Sequence, residues 1–404
     1  MKLGWIDFSK EDRNKVLNVI SLLKTKGAVD EIGIGVVRDA FANEFFPGTS
    51  TVQAGAKYFL IVPYVIKETI EEIICGKYGN DFNKIVKKIE EKERECGEIL
   101  RKKSPNINNI IGSHAMRSGD WVERSPSSIY WSGIRTYGIC KQKLTLNELI
   151  KVAIRLQGQR KTYELGNKGD KKEQRNCDDE DTMKDLSAQL FSLPNDYYGN
   201  WRENLTIDLT KSEAEFLKEK IIRNANDKLI GYILKNNINL NEYQSFECLY
   251  ETLKDDLPKE ISTKMFHACE FNKLVYVAHV RYNYILSKGE NQNAKEKWEE
   301  IENNLKEMLS VNIDEVLRIT RIHDIKLKSF LINFKNALLD GNLDKANKEL
   351  INREISIKGI GRSKLCKQEE YRDSKWIGGE YLDYRFPDAK RIIDDIYKGE
   401  KKDV

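Results

Sequence analysis

Apolar and turn-forming residues are most concentrated over 38–64, and we expect this stretch to organise the N-terminal half of the chain. An apolar segment ends at 45–46, and a Pro-Gly pair at 47–48 predicts a turn. The hydroxyl residues at 49–51 are suited to capping a following helix. A nearly unbroken apolar block at 58–62 then predicts a buried segment.

Helical spacing of apolar positions extends over most of the remaining chain. Only 50–74 is ambiguous, because it can form one helix bent at Pro63 or change at Tyr58 into a short buried strand. We favour the helix, since helical spacing continues over 67–74. The other predicted helices cover 9–27, 29–46, 81–103, 145–156, 210–222, 227–236, 245–254, 260–287, 294–309, 313–339, 343–356 and 388–397, and Ser125 or Ser127 with Pro126 predicts a further short helix.

A polar interruption divides this helical pattern. Residues 157–185 contain almost no large apolar side chains and include a block of acids at 178–181, which is typical of a flexible linker. We therefore predict a mainly α fold. An N-terminal domain, 1–156, with helix-turn-helix or winged-helix-like units is followed by the linker and by a C-terminal helical bundle, 186–404, with a glycine-rich and aromatic tail.

The charge of the chain is nearly balanced. Of its 404 residues, 68 are Lys or Arg and 64 are Asp or Glu, which leaves a net charge of +4. Any site for a polyanion must therefore be a local patch. The longest apolar run, 58–66, is far shorter than the roughly 20 residues that span a bilayer, and the first 25 residues lack an apolar targeting segment. We therefore expect a soluble cytoplasmic protein without a membrane partner.

Known catalytic and metal-binding patterns do not occur in this sequence. Its seven cysteines are scattered without a CxxC pair, and no phosphate-binding GK[ST] motif is present. His267 and His279 are expected on one helix, about 18 Å apart along its axis, which is too far for them to share an ion. Asp39 beside Arg38 more often means a salt bridge than a catalytic group. We expect no metal, no cofactor and no catalytic residue.

Several motifs resemble those of an uncharacterised bacterial family of unknown function. They are GWIDFS at 4–9, RDAFANEFFPGTSTVQ at 38–53, RSPSSIYWSGIRTYGI at 124–139 and LDYRF at 382–386. The resemblance implies no particular activity, but it implies an association with helicases and phospholipase D-like nucleases at phage-defence loci. The chain departs from the family at Gly55 and Ala56, where a basic residue is expected.

Three groups of residues are candidates for binding. Hydroxyl and basic residues near the start of a helix can meet phosphates, because its free N–H groups carry partial positive charge. Capping hydroxyls and core aromatics are the structural alternative. The first two groups are predicted to bind nucleic acid, namely Arg38, Thr49, Ser50, Thr51, Gln53 and Lys57, and then Arg124, Ser127 and Arg135. A third group is predicted to bind a partner, namely Arg362, Tyr371, Trp376, Tyr384 and Arg385.

Together these features predict a nucleic-acid-binding or adaptor subunit of a bacterial anti-phage defence system. DNA is the expected ligand, and a helicase or nuclease is the expected partner. A pure protein-interaction scaffold is one alternative, and a nuclease or hydrolase without a familiar signature is another.

Overall fold

The computed structural model describes residues 30–104, 109–118, 121–166, 189–195, 199–371 and 376–402. These ranges are mainly helical and contain no β-strand, and an isolated antiparallel bridge joins Cys140 and Phe191. The predicted mainly α class is thus confirmed, whereas the helix predicted over 9–27 lies outside the described residues. In chain order the α-helices are α1 (Gly35–Phe45), α2 (Tyr58–Ile74), α3 (Phe82–Lys103), α4 (Pro126–Thr136), α5 (Leu146–Gly166), α6 (Lys211–Asn224), α7 (Leu229–Lys235), α8 (Phe246–Leu253), α9 (Lys259–Leu286), α10 (Gln292–Asn303), α11 (Leu305–Met308), α12 (Ile313–Thr320), α13 (Ile325–Leu339), α14 (Leu343–Lys358), α15 (Gln368–Tyr371) and α16 (Phe386–Glu400).

Residues 58–74 of the ambiguous segment are helical, as favoured above, whereas residues 50–57 form turns and irregular structure before the helix. Helix α2 runs through Pro63 without interruption, and every residue from Tyr58 to Ile66 is buried. A helix that is apolar on all sides belongs in a protein interior, which explains why its sequence also resembles a buried strand.

Capping side chains begin two helices where the sequence predicts them. Ser125 accepts a hydrogen bond from the Ser128 N–H at the start of α4, and Pro126 is the first helical residue. Thr210 and Glu213 form a reciprocal capping box at the start of α6.

The helix predicted over 313–339 is instead two helices. Arg321 adopts a left-handed backbone conformation with φ of 56° and ends α12. The Asp324 carboxylate then accepts the N–H groups of Lys326 and Leu327, which begins α13. Apolar periodicity does not reveal a left-handed residue that is not glycine, so the sequence pattern missed this break.

The chain forms two compact units, and each unit is built from segments that are distant in sequence. The first unit comprises Met1–Phe41 and Leu253–Leu382, and the second comprises Ala42–Thr252 and Asp383–Val404. Residues 157–166 of the predicted linker form the end of α5, which belongs to the second unit, and residues 167–185 lie outside the described residues.

The first unit is built on the long helix α9, which packs against α10, α12 and α14. Helices α13 and α14 pair through a short turn in which Gly341 has φ of 69°. The start of α13 therefore lies beside the end of α14.

In the second unit, α2 packs against α3, α4 and α5, and α6 packs against both α7 and α16. Gly399 permits the close approach of α16 to α6, because a Cβ atom there would lie 2.7 Å from the Ala214 Cβ atom.

Candidate functional site

Three residues of the first predicted group are buried inside the second unit. The Thr49 hydroxyl donates to the Phe46 carbonyl oxygen over 2.7 Å. The Gln53 amide donates to the Gly48 carbonyl oxygen over 3.0 Å and accepts the Ser50 N–H over 3.1 Å.

Lys57 is only 3% exposed and forms an ion pair with Glu213. An ammonium group enclosed in this way cannot reach a phosphate. The binding role predicted for Thr49, Gln53 and Lys57 is therefore corrected to a structural one, whereas Ser50 is half-buried and Thr51 is exposed.

The start of α2 already faces an anion, and that anion belongs to the chain. The Asp395 carboxylate of α16 accepts the Ala56 N–H over 2.8 Å. Gly55 leaves room for it, because a Cβ atom there would lie 3.1 Å from the carboxylate oxygen. Burial raises the pKa of Asp395 to about 6. The position where a phosphate was predicted is thus taken by an internal acid.

The same arrangement recurs at the start of α4 in the second predicted group. Glu93 of α3 is 2% exposed and accepts the Ser127 backbone N–H over 2.7 Å. Burial raises the pKa of Glu93 to about 8, although the hydrogen bonds from Ser127 partly oppose the rise. Ser127 is buried and occupied by this contact, which corrects its predicted role, while Arg124 and Arg135 remain exposed.

Both internal acids carry a sequence signal of burial, although neither belongs to the predicted groups. Glu93 lies on the apolar stripe of α3, four residues after Ile89 and three before Cys96. Asp395 adjoins Ile396 and follows Ile392 by three residues on α16. A carboxylate on an apolar helical stripe must find a donor within the fold, because burial without one is costly.

The third predicted group is divided by the structure. Tyr384 is fully buried and meets Phe45 and Phe246 edge-on, so its predicted partner-binding role is corrected to a core role. The half-buried Arg385 donates from its guanidinium to Asn43 over 2.8 Å and to the Thr49 carbonyl oxygen over 2.9 Å.

The remaining members of that group belong to the first unit. Arg362 is exposed, and its Nε donates to the Lys358 carbonyl oxygen over 2.8 Å. Tyr371 is half-buried, with the Lys364 ammonium 5.7 Å from its ring centroid. Trp376 lines a cavity.

That cavity, of about 430 Å³, brings together Arg38 from the first predicted group and Trp376 from the third. The Arg38 guanidinium also forms the expected salt bridge with Asp39, at 3.0 Å. The cavity is lined by Asp30, Glu31, Ile34, Gly35, Arg38, His279, Lys364, Trp376, Ile377, Gly378, Gly379 and Leu382.

A buried ionic cluster closes one side of the cavity. Glu31 pairs with Lys358 and with Lys364, the latter at 2.8 Å. Glu354, fully buried, accepts from Lys358 over 2.9 Å and from the Tyr282 hydroxyl over 2.7 Å. Two carboxylates thus face two ammonium groups, which is how buried charge is normally tolerated.

His279 is the buried imidazole of this cavity. Desolvation lowers its pKa, so the ring is neutral near pH 7. Its Nδ1 lies 3.4 Å from the Glu380 carbonyl oxygen, which can only accept, and Nδ1 therefore carries the proton. Within the described ranges, no group of His, Cys, Asp or Glu residues could hold a metal ion.

A second feature of the first unit is a set of four basic residues, Arg321, Lys326, Arg362 and Lys367, which we call the basic surface. All four side chains are exposed, and none has an ion-pair partner among the described residues. The pairing of α13 with α14 places Lys326 at the same end of the hairpin as Arg362. Three isoleucines at this end are also exposed, Ile325 by 79%, Ile357 by 39% and Ile360 by 70%.

No described helix is both long and apolar enough to cross a membrane.

Comparison with known proteins gives a family match for the N-terminal part of the chain and no activity. Neither a curated protein nor a solved structure matches the chain. Over residues 1–149 the chain matches the model of DUF6361, a family of unknown function, which confirms the resemblance noted from its motifs for that part of the chain.

Proposed function

We propose that this chain is a non-catalytic nucleic-acid-binding or adaptor subunit that acts in the bacterial cytoplasm with a helicase or nuclease of an anti-phage system. The observation that supports this proposal is the basic surface of the first unit. The phage-defence context rests on the motif resemblance alone.

The basic surface concentrates charge that the chain as a whole lacks. Residues 357–367 contain four Lys or Arg and no acid. Lys358 and Lys364 are occupied by the buried cluster, which leaves Arg362 and Lys367 for an external anion. Arg321 and Lys326 add two cations at the same end of the α13–α14 hairpin. Such a local concentration of cations binds the phosphate backbone without reading its sequence.

The N-terminal residues contribute a finer part of this proposal. We place a helix-turn-helix-like unit within 1–156, in which α4 and the residues just before it present Arg135 and Arg124 to DNA. Both side chains are exposed, in contrast to the buried Ser127 between them.

The test is retention of duplex DNA by the full-length protein over a series of salt concentrations. Charge reversal of the basic surface, by Arg321→Glu, Lys326→Glu, Arg362→Glu and Lys367→Glu together, should abolish retention. For the unmodified protein, the logarithm of affinity should fall with the logarithm of salt by about 0.9 for each phosphate contact.

A matched control reverses four exposed lysines of the second unit, through Lys84→Glu, Lys87→Glu, Lys102→Glu and Lys143→Glu. This variant has the same net charge and should retain DNA. Equal loss in both variants would indicate only a response to total charge. The nucleic-acid role would be refuted if neither the unmodified protein nor the control retained DNA.

The exposed isoleucines favour a second candidate, a protein-interaction scaffold. Apolar side chains at the centre of a contact, surrounded by charged ones, are characteristic of protein interfaces. Replacement of Ile325, Ile357 and Ile360 by serine should then prevent co-purification with the co-expressed helicase or nuclease. DNA retention that is lost in this variant to the same extent would argue against a separate protein interface.

A further inference from the structure

We infer that the cavity of the first unit binds a small organic molecule of about nucleotide size, which carries a phosphate or carboxylate group and also a hydrogen-bond donor. This site is independent of the proposed nucleic-acid role. It follows from which polar groups at the cavity wall are already occupied and which are not.

The acceptors on one wall are occupied. Both carboxylate oxygens of Asp30 accept backbone N–H groups, from Ile34 over 2.9 Å and from Gly35 over 2.6 Å. Glu31 is held between Lys358 and Lys364. A cationic ligand would therefore find no carboxylate without a partner on this wall.

Donors of two other lining residues, Arg38 and Trp376, lack an acceptor among the described residues. The Trp376 indole Nε1 is buried and has no hydrogen-bond partner among the described residues. A buried N–H without an acceptor is unusual in a folded protein and commonly marks a missing ligand or water. Arg38 uses Nε toward Asp39, and no described residue accepts from its terminal nitrogens. An indole N–H and a guanidinium together suit an oxyanion.

His279 supplies the complementary acceptor. Because its Nδ1 donates to the Glu380 carbonyl oxygen, the lone pair is on Nε2. Gly378 and Gly379 lie along this edge of the ring, where a Cβ atom at Gly378 would be 3.8 Å from Nε2. Having no side chains, the two glycines leave the imidazole edge uncovered, so that a hydroxyl or ring N–H of the ligand can donate to it.

The segment 376–382 is attached to α9 by four hydrogen bonds. Asn283 donates to the Ile377 carbonyl oxygen over 2.9 Å and accepts its N–H over 2.8 Å. Asn272, three helical turns earlier, makes the same pair of bonds to Leu382, at 3.2 and 2.5 Å. A binding wall fixed in advance lowers the entropy cost of binding.

The volume of the cavity is consistent with this class of ligand. Small-molecule pockets commonly measure about 300–1,000 Å³ and combine apolar walls with a few polar groups. The cavity measures about 430 Å³, and Ile34, Ile377 and Leu382 contribute its apolar surface.

The experiment titrates the protein with AMP, GMP, UMP and 4-hydroxybenzoate, each at up to millimolar concentration. Binding is followed by thermal shift and by calorimetry. The three nucleotides carry a phosphate and the fourth probe a carboxylate, so the result identifies the anionic group. At least one probe should saturate and raise the melting temperature.

Two variants of the same aromatic segment decide the assignment. Trp376→Phe retains an aromatic ring but removes the unpartnered N–H, and the dissociation constant should rise about tenfold, as expected for a lost hydrogen bond to a charged group. Tyr381→Phe removes a hydroxyl from a ring that stacks on Tyr276 at 4.1 Å and is not part of the cavity wall, and it should leave binding unchanged.

Arg38→Gln provides a second readout on a half-exposed residue whose replacement is not expected to disturb the core. Arg38→Gln should weaken binding of the anionic probes. Trp376→Phe should retain DNA to the same extent as the unmodified protein. The inference is overturned if no probe binds, or if Trp376→Phe and Arg38→Gln both bind as tightly as the unmodified protein.

Discussion

Two pairs of enclosed carboxylates in this molecule have different surroundings. In the first unit, Glu31 and Glu354 face Lys358 and Lys364, and Glu354 also accepts the backbone N–H groups of Lys364 and Leu365. In the second unit, Glu93 and Asp395 face mainly backbone N–H groups at the starts of α4 and α2. The comparison teaches that helix termini suffice to enclose an acid, but that its ionisation becomes less favourable, because burial raises the pKa of Glu93 to about 8 and of Asp395 to about 6.

The largest effect is expected when the ionic cluster is broken. Glu354→Ala leaves the ammonium of Lys358 buried with one partner fewer, and it should destabilise the protein by about 3–5 kcal/mol. Urea unfolding measures this difference. Glu260→Ala is the matched control, since Glu260 is 75% exposed and pairs with Lys264 four residues later. A similar loss in both variants would contradict the importance of burial.

A pH series should distinguish the two pairs of carboxylates. The pKa of Glu93 is about 8 when folded against 4.5 in its ordinary state, and that of Asp395 about 6 against 3.8. At a pH between the ordinary and the folded pKa of each group, the folded protein binds more protons than the unfolded protein does. The free energy of unfolding contributed by these groups therefore falls as pH rises. Each unit of pKa difference corresponds to about 1.4 kcal/mol.

Glu93→Gln should therefore remove most of the decline in stability between pH 5 and pH 8, because glutamine does not ionise. Urea unfolding at several pH values measures the slope. Glu91→Gln, at an exposed position of the same helix, should leave the slope unchanged. An unchanged slope in Glu93→Gln would mean that Glu93 ionises normally in the fold.

A smaller effect is expected where glycine admits the internal acid. Gly55→Val should displace the Asp395 carboxylate from the Ala56 N–H and destabilise the second unit by about 1–3 kcal/mol. Hydrogen exchange of the first turn of α2 reports the loss directly. Gly158→Ala, in α5 with no atom within 4 Å of the new Cβ, should instead stabilise its helix slightly.

The smallest effect is expected for a charge pair that water reaches. The Arg38 and Asp39 side chains are 40% and 50% exposed, so Asp39→Asn should cost no more than about 1 kcal/mol. The cost should shrink further at high salt, since exposed pairs are screened. A loss as large as that of Glu354→Ala would indicate that this pair supports the cavity wall.

Much of the fold was predictable because its signals are local. Ser125 with Pro126, and Thr210 with Glu213, begin helices through contacts within four residues. The break at Arg321 was not predictable, since a left-handed arginine has no local sequence signature. Composition along the chain also carries no signal that Met1–Phe41 joins Leu253–Leu382 in one compact unit.

The candidate sites were predicted by residue type, and residue type does not specify exposure. Lys57 and Ser127 have the chemistry of phosphate ligands, yet each is occupied by a carboxylate from a distant helix. Arg38 and Trp376 were assigned to different groups, and the structure brings them to one cavity. Asn272 and Asn283, which hold that cavity's wall, gave no signal because an asparagine inside a helix usually faces solvent.

The sequence by itself determined the helical class, most helix starts, the buried block at 58–66 and a charge balance that restricts any polyanion site to a local patch. Only the tertiary structure decided which charged groups are free. Two helix N-termini attract anions, as their sequences indicate, but both are occupied by carboxyl groups of the chain itself, those of Glu93 and Asp395. A carboxylate carried on the same fold is always at high effective concentration, and it occupies the site before any external phosphate can.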